Sequence, residues 1–301
     1  MRISTNSFFD LNSKRLSDVQ SQMDKIAQQV SSGRKILTPA DDPVGAGQAL
    51  EVQQSQSINA QYAKNRSALQ NTLGIVDGTL SSITDTLQSI HEQVISAGNG
   101  SYSATELAGI ATALQGQRDQ LLSLANTSDG AGHYLFAGNQ TNTRPFVEVS
   151  ASVSYQGVDS QSQVQVDTSR TMAMSVSGQA LFGSSADIFA QLNTTIATLN
   201  DPNADPNQQQ AVLKALGDSY SQTLQNVTTA QADVGIRLQQ LDALDTLGSS
   251  RDLTYSQALS RLQDVNYNQA LSDLSRQQLA LQAAQKTFMQ ISNLSLFNYM
   301  N

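Results

Sequence analysis

The C-terminal segment DLTYSQALSRLQDVNYNQALSDLSRQQLALQAAQKTFMQISNLSLFNYMN, residues 252–301, contains neither proline nor glycine. Apolar residues recur in it every seven positions, and further apolar residues fill the intermediate positions of the same stripe. The stripe comprises Tyr267, Leu274, Leu281 and Phe288, with Ala270, Ala284 and Ile291 between them. This period is typical of a coiled-coil helix. The segment is therefore predicted to be one helix, and its apolar face needs a partner helix.

A second stripe of the same period lies at the opposite end of the chain. It comprises Leu16, Val19, Met23, Ile26 and Val30. Gly33 and Pro39 follow it and are expected to end the helix. One interpretation of this stripe is an ordinary amphipathic helix packed on a globular core. The more specific interpretation is that the stripe pairs with the C-terminal one. Ordering both segments costs more conformational entropy than their few apolar side chains offset, so we expect them to fold on assembly.

The connection after the first helix carries two adjacent carboxylates, Asp41 and Asp42, followed by Pro43. An aspartate at the N-cap and a proline at the first helical position favour a helix start. A metal or acid-base site is the alternative, but no histidine and no third carboxylate lies within local reach. Capping is therefore the favoured interpretation.

Long heptad patterns fill most of the remaining chain. They predict helices from Val44 to about Ile95, from Thr105 to before Ser128, over 188–199 and over 213–244. The first two are expected to form an antiparallel hairpin. The seam of the first comprises Leu69, Leu73, Val76, Leu80, Ile83, Leu87, Ile90 and Val94. Gly248 is expected to separate the last of these helices from the C-terminal one.

Between Gly132 and Gly183 the period changes from helical to alternating. Apolar and polar residues alternate over 147–155, 164–166 and 172–176, with turn-forming residues between these runs. This pattern predicts an antiparallel β insertion of three or more strands. The order of the predicted helices before the insertion is repeated in reverse after it. The predicted fold class is mainly α: a nested rod of long coiled-coil helices with paired N- and C-termini and a small antiparallel β insertion.

The same symmetry divides the chain into three domains. Residues 1–42 and 252–301 are expected to form a terminal coiled-coil core domain. Residues 43–131 and 184–251 are expected to form a long-helix bundle domain, and residues 132–183 an outer β subdomain.

Composition argues against several function classes. The net charge is −8 and the 17 basic residues are scattered, which argues against a nucleic-acid partner. The chain has no cysteine, no apolar run of membrane-spanning length and no apolar signal-peptide core near its start. Its two histidines are His91, expected on a helix surface, and His133, expected at a hinge or strand edge. We therefore predict no enzyme, no catalytic residue, no cofactor, no metal site and no membrane insertion.

Three segments resemble a known family. Residues 31–43, in which Ser-Ser-Gly precedes the acidic pair, resemble the N-terminal signature of the flagellins. Residues 134–139, YLFAGN, followed by Pro145 and Phe146, are similar to the segment that opens the outer domain of the flagellar hook-filament junction proteins. Residues 291–300, ISNLSLFNYM, resemble the end of those proteins. The chain thus resembles the flagellin-like family, and within it the second junction protein, the hook-associated protein 3 family.

The resemblance implies a structural subunit of the bacterial flagellum that joins the hook, through the other junction protein, to the flagellin filament by coiled-coil polymerisation. The implied partners are further copies of the chain in a ring or helical assembly, the other hook-filament junction protein, flagellin and a type III export chaperone. The implied location is extracellular, at the hook-filament junction, after export without a cleaved signal peptide. The assembly interface expected on these grounds comprises Leu16, Val19, Met23, Ile26, Val30, Tyr267, Leu274, Leu281, Phe288, Ile291, Leu294 and Phe297.

Two other functions remain as alternatives. A flagellin filament subunit would share both terminal coiled coils, but the 134–146 segment and the Phe297-Asn298-Tyr299 ending favour the junction protein. A cytoplasmic coiled-coil adaptor would account for the heptads but not for a β insertion framed by mirrored helices.

Overall fold

A computed structural model of the chain describes the backbone of residues 2–100, 102–149, 152–183 and 187–300. Side chains are described within these ranges, apart from those of residues 2–6, 8 and 291–300. The described helices are α1 (Arg2–Ser32), α2 (Pro43–Ala97), α3 (Ala104–Ala125), α4 (Gly178–Phe182), α5 (Asp187–Asn200), α6 (Pro206–Gln263) and α7 (Tyr267–Met300). The described strands are β1 (Phe146–Val149), β2 (Ser152–Tyr155), β3 (Gln163–Asp167) and β4 (Arg170–Ala173). The predicted fold class, mainly α with a small antiparallel β insertion, is confirmed.

The chain divides into two compact units. The first unit consists of Met1–Ile58 and Ser250–Asn301, and the second unit consists of Asn59–Ser249. Helix α2 contributes residues to both units, and so does α6.

The starts of α2 and α3 follow from local capping. Pro43 is the first residue of α2, and the Asp42 carboxylate accepts a hydrogen bond from the Gly45 N–H at 2.9 Å. This bond confirms that Asp42 caps the helix. At α3, Ser103 and Glu106 form a capping box, in which the Glu106 carboxylate accepts from the Ser103 N–H at 2.7 Å. Both signals can be read directly from the sequence.

The core of the second unit is built on the heptad seam of α2. Every residue of the predicted seam, from Leu69 to Val94, is buried. Helix α6 runs antiparallel to α2, because Gln70 hydrogen-bonds to Asp242 while the His91 ring, further along α2, stacks on Tyr220. The backbone of α3 packs most closely on α5.

The β insertion contains four described strands, in agreement with the predicted three or more. Within the described residues they form two separate two-stranded antiparallel sheets, β1 with β2 and β3 with β4. The alternating run 147–155 folds back on itself, so that Phe146 pairs with Tyr155. Aromatic packing holds this hairpin on the helices, since the Phe146 ring contacts those of Phe182 and Phe189 at centroid distances of 5.2 and 6.1 Å. Two strands too short to be stable alone therefore use the helices as their core.

The C-terminal segment is not one helix, which corrects the prediction for 252–301. Helix α6 continues through Gly248 to Gln263, and α7 begins only at Tyr267. In the break, the Val265 N–H donates to the Gly33 carbonyl at 2.9 Å, and the Gln263 carbonyl accepts from the Lys35 N–H at 2.7 Å. Backbone pairing with a distant turn therefore satisfies groups that a continuous helix would have paired internally.

Candidate assembly interface

Helices α1 and α7 of the first unit lie side by side and run in opposite directions. Near the start of α1, the Phe9 ring packs edge-on against Phe288 of α7, with centroids 5.8 Å apart. Just past the end of α1, Gly33 lies beside the side chain of Tyr267, the first residue of α7. These two contacts confirm the predicted pairing of the terminal segments.

A turn at Gly33 fixes the end of this helix pair. Gly33 has a φ of +72°, a left-handed conformation that glycine adopts without steric cost. It allows Arg34 to form an antiparallel backbone bridge with Asp264. The Lys35 Nζ adds a hydrogen bond to the Arg261 carbonyl at 3.1 Å. The turn thus joins the end of α1 to the α6–α7 connection.

The predicted interface residues are only partly covered by this pairing. Ile26 is the most buried of them, at 9% exposure, and Tyr267 is the most exposed, at 51%. The half-buried members are Leu16, Val19, Met23, Val30, Leu274, Leu281 and Phe288. The side chains of Ile291, Leu294 and Phe297 lie outside the described residues. The helix pair therefore leaves much of its apolar seam accessible.

Sequence reasoning missed several apolar residues of this unit. Phe9 lies seven residues before Leu16, so the heptad period could have identified it. Leu271, Leu279 and Met289 are 49%, 69% and 58% exposed on α7, outside the predicted heptad stripe. A second apolar face on a helix marks a contact with something beyond its first partner.

The first unit has little core of its own. Among its described residues, Ile26, Ala49 and Ala270 are the buried apolar side chains. Leu11, Val44, Leu50, Ile58 and Leu253 are exposed in addition to the apolar residues of α7. The second unit, by contrast, contains the continuous cluster built on α2, α3, α5 and α6. Exposed apolar side chains on a unit with few buried ones are characteristic of a surface that becomes buried on assembly.

The acidic pair after α1 has a structural role. One Asp41 oxygen accepts from the backbone N–H groups of Leu37 and Thr38 at 3.1 and 2.8 Å, and the other lies 2.7 Å from the Lys25 Nζ. The hydrogen bond from Lys25 and those from the backbone lower the pKa of Asp41 from 3.8 to about 2. Asp41 is thus an ionised carboxylate that holds the turn against α1.

The two histidines lie in different surroundings within the second unit. His91 was expected on a helix surface, but it is half-buried and its ring stacks on Tyr220 at 4.3 Å, with an interplanar angle of 5°. His133 lies in the loop before Tyr134, and its Nδ1 is 3.2 Å from an Asp129 oxygen. Within the described residues, no three His, Cys, Asp or Glu side chains converge on a point that could hold a metal ion.

Among the described helices, none combines the length and the apolar character that a membrane-spanning segment requires.

Residues 3–141 match the family model of the bacterial flagellin N-terminal helical region. The chain is also similar to the flagellar hook-associated protein 3 of Salmonella typhimurium and to that of Escherichia coli. Each is 36% identical over an alignment of 315 positions, which covers 99% of this chain and 99% of the relative.

Solved structures are similar over most of the chain. A protein of Vibrio parahaemolyticus described as flagellar hook-associated is 28% identical, with a TM-score of 0.70 over 74% of this chain and all of the other. The flagellar junction protein FlgL of Legionella pneumophila is 18% identical, with a TM-score of 0.60 over 72% of this chain and all of its own. The second likeness bears on the fold alone.

Proposed function

Because this chain belongs to the flagellar hook-associated protein 3 family, it is a structural, non-enzymatic protein of the hook-filament junction, and we propose that it polymerises there through its terminal helices. The family assignment favours this function over a flagellin filament subunit and over a cytoplasmic adaptor.

The observation that carries the polymerisation proposal is the contrast between the two units. The first unit exposes apolar side chains on α1, α2, α6 and α7, while few of its described apolar side chains are buried. Neighbouring copies would cover these surfaces with equivalent helices and so supply the missing core. The proposed interface is the predicted set from Leu16 to Phe297, extended by Phe9, Leu271, Leu279 and Met289. Burial of such surface is the main favourable term in protein association.

The proposed partners are further copies of the chain, the other hook-filament junction protein on the hook side and flagellin on the filament side. We also propose a type III export chaperone as the partner before assembly, and export to the outside of the cell without a cleaved signal peptide. Two features support passage in an unfolded state: the chain contains no cysteine, so no disulfide has to be broken, and the first unit has little core to unfold.

We also propose that the chain is divided into the three predicted domains. Residues 1–42 and 252–301 would form the terminal coiled-coil core domain, residues 43–131 and 184–251 the long-helix bundle domain, and residues 132–183 the outer β subdomain. The four strands that the structure describes all lie between residues 146 and 173, which supports the last of these limits.

Substitution of Leu281, which is half-buried in the seam, tests the interface. We expect Leu281→Asp to abolish incorporation of the protein into flagella, because a carboxylate placed in an apolar contact loses its hydration. The second unit should keep its unfolding temperature, since Leu281 lies outside it. Immunolabelling of flagella and a motility assay give the readout.

Gln282→Asp is the matched control, because it introduces the same charge one position away at an exposed residue. Normal incorporation is expected for this variant. Normal motility of the Leu281→Asp strain would contradict the proposed interface. Label along the whole filament, instead of at its hook end, would contradict the junction location.

A further inference from the structure

The turn Gly98-Asn99-Gly100 lies in the connection between α2 and α3, outside the proposed assembly interface, and contains the one Asn-Gly pair of the sequence. All three residues are exposed. The backbone nitrogen that follows an asparagine can attack the side-chain amide of that asparagine. Glycine hinders this attack least, because it has no Cβ and its backbone is the most freely rotating. Residue type and exposure together make Asn99 a candidate for covalent change.

The hydrogen bonds of this turn leave the two reacting groups without partners. The Asn99 N–H donates to the Ser96 carbonyl at 3.0 Å, and the Asn99 carbonyl accepts from the Tyr102 N–H at 3.3 Å. Within the described residues, neither the Asn99 side-chain amide nor the Gly100 N–H makes a hydrogen bond. An added Cβ at Gly100 would meet no atom within 4 Å, so the space around it is open. The attack therefore requires no hydrogen bond to be broken.

Asn203 provides a comparison within the same chain. It is also exposed and also lies in a loop between helices. The residue after it is Ala204, whose Cβ crowds the backbone nitrogen, and the Ala204 N–H already donates to the Asp201 carbonyl at 3.1 Å. Exposure is thus common to both asparagines, while an unhindered and unpaired nitrogen is found at Asn99.

We propose that Asn99 is a deamidation site, which converts to aspartate and isoaspartate without an enzyme. The Gly100 nitrogen loses its proton to a base in solution and bonds to the side-chain carbonyl carbon of Asn99. The bond from that carbon to the amide nitrogen breaks, and the amide group takes up a proton and leaves as ammonia. One water molecule then opens the resulting five-membered succinimide at either of its two carbonyls. Water is the one co-reactant, and no atom is oxidised or reduced.

The product has a new negative charge close to the C-terminal end of α2. Conversion of one residue adds one negative charge to the net charge of −8. The carbonyls at the C-terminal end of a helix carry partial negative charge, so a carboxylate beside them is unfavourable. The Gly98 N–H donates to the Val94 carbonyl at 3.0 Å at this end. Deamidation of Asn99 therefore weakens the last turn of α2.

The test incubates the full unsubstituted chain and the peptide SAGNGSY, residues 96–102, in the same mildly alkaline buffer. Mass spectrometry with electron-transfer fragmentation locates the converted residue and separates aspartate from isoaspartate. Asn99 of the chain should convert within about threefold of the rate in the peptide, because the turn gives it no protection. Asn203 should convert at least about tenfold more slowly. Conversion in the peptide but not in the chain, or equal rates at Asn99 and Asn203, would overturn the proposal.

Gly100→Ala should slow conversion of Asn99 about tenfold, because the added Cβ hinders the nitrogen while fitting into open space. Gly116→Ala is the matched control, at an exposed glycine of α3 where a Cβ also meets no atom within 4 Å. It should leave the rate at Asn99 unchanged. Equal rates in the two variants would contradict attack by the Gly100 nitrogen.

Asn99→Asp provides the charged product directly and tests its effect on α2. Hydrogen exchange of the Gly98 N–H should be about twofold to fivefold faster than in the unsubstituted chain, and high salt should reduce the difference. Asn203→Asp, which adds the same charge in another loop, should leave this exchange unchanged. Unchanged exchange in Asn99→Asp would overturn the weakening of α2. The comparison of the unsubstituted chain with the peptide does not depend on how any variant folds.

Discussion

Asp41 shows how far a residue's role can be read from its neighbours in sequence. Its position before Asp42 and Pro43 predicts a turn that leads into a helix, and the hydrogen bonds from Leu37 and Thr38 agree with it. The contact with Lys25 is not visible in the sequence, because it depends on how the turn folds back on α1. The turn around Asp41 could be predicted from the neighbouring residues, whereas the ion pair with Lys25 depends on the tertiary fold.

The pKa of Asp41 provides the first prediction. Since the folded pKa is about 2 and the ordinary value is 3.8, the carboxylate's stabilising contribution is complete above pH 3.8 and is lost as the pH falls through about 2. Lys25→Ala should raise the pKa of Asp41 toward 3.8. A carboxyl ¹³C NMR titration measures this. Lys14→Ala, at an exposed lysine of the same helix, should leave it unchanged; an equal shift in both variants would contradict a specific ion pair.

Gly138 provides the second prediction at this scale. Its φ is +66°, and a Cβ at this position would lie 1.9 Å from the Val158 carbonyl oxygen. Gly138→Ala should therefore destabilise the second unit by about 2–4 kcal/mol in urea unfolding followed by circular dichroism. Gly130→Ala, where a Cβ meets no atom within 4 Å, should change stability by less than about 0.5 kcal/mol. Similar losses in both would contradict the steric explanation.

At the scale of elements, the heptad period located the long helices but not the break between α6 and α7. Sequence signals placed that break at Gly248, where the helix continues, because a helix tolerates a glycine when packing favours it. Gly248 lies against Arg66, whose Nη2 would be 2.4 Å from an added Cβ. The glycine thus makes room for a side chain from α2. The actual break depends on pairing with Gly33, which no local pattern in 252–301 could reveal.

Arg66 joins three elements and gives the third prediction. Its buried side chain pairs with Asp245 on α6 and donates to the Val166 carbonyl on β3 at 3.0 Å. Arg66→Met should destabilise the second unit by about 2–4 kcal/mol, because Asp245 and the buried carbonyl lose their partner. Urea unfolding measures the change. Arg170→Met, which removes an exposed hydrogen bond to Gln240, should cost less than about 0.5 kcal/mol; a comparable loss there would argue against a special role for Arg66.

At the scale of the whole molecule, two features of the sequence were sufficient to predict a mainly α fold with paired termini. These are the heptad periods and the reversed order of the heptad helices after the β insertion. The two separate hairpins were not predictable, because residues 147–155 have the alternation of a single strand. The pairing of α1 with α7 was predictable, since both helices carry an apolar stripe of the same period. The exposed apolar residues of α7 outside that stripe were not, because Leu271, Leu279 and Met289 follow no heptad.

Limited proteolysis of the monomer is the fourth prediction. About the first and last forty residues should be cleaved rapidly, because few apolar side chains hold them, while residues 59–249 should resist. Mass spectrometry of the fragments locates the cuts. The same segments should be protected in isolated flagella, which serve as the comparison. Resistant termini in the monomer would contradict folding coupled to assembly.

The bridge between the turn at Gly33 and the α6–α7 connection has a kinetic consequence. The hydrogen bond that accompanies it joins Lys35 to Arg261, 226 residues further along the chain. Contacts of such high contact order form late, because a long loop must close before they are gained. Since ribosomes make the N-terminus first, α1 must wait for nearly the whole chain to be synthesised before its partner exists. The segment made first is thus among the last to fold.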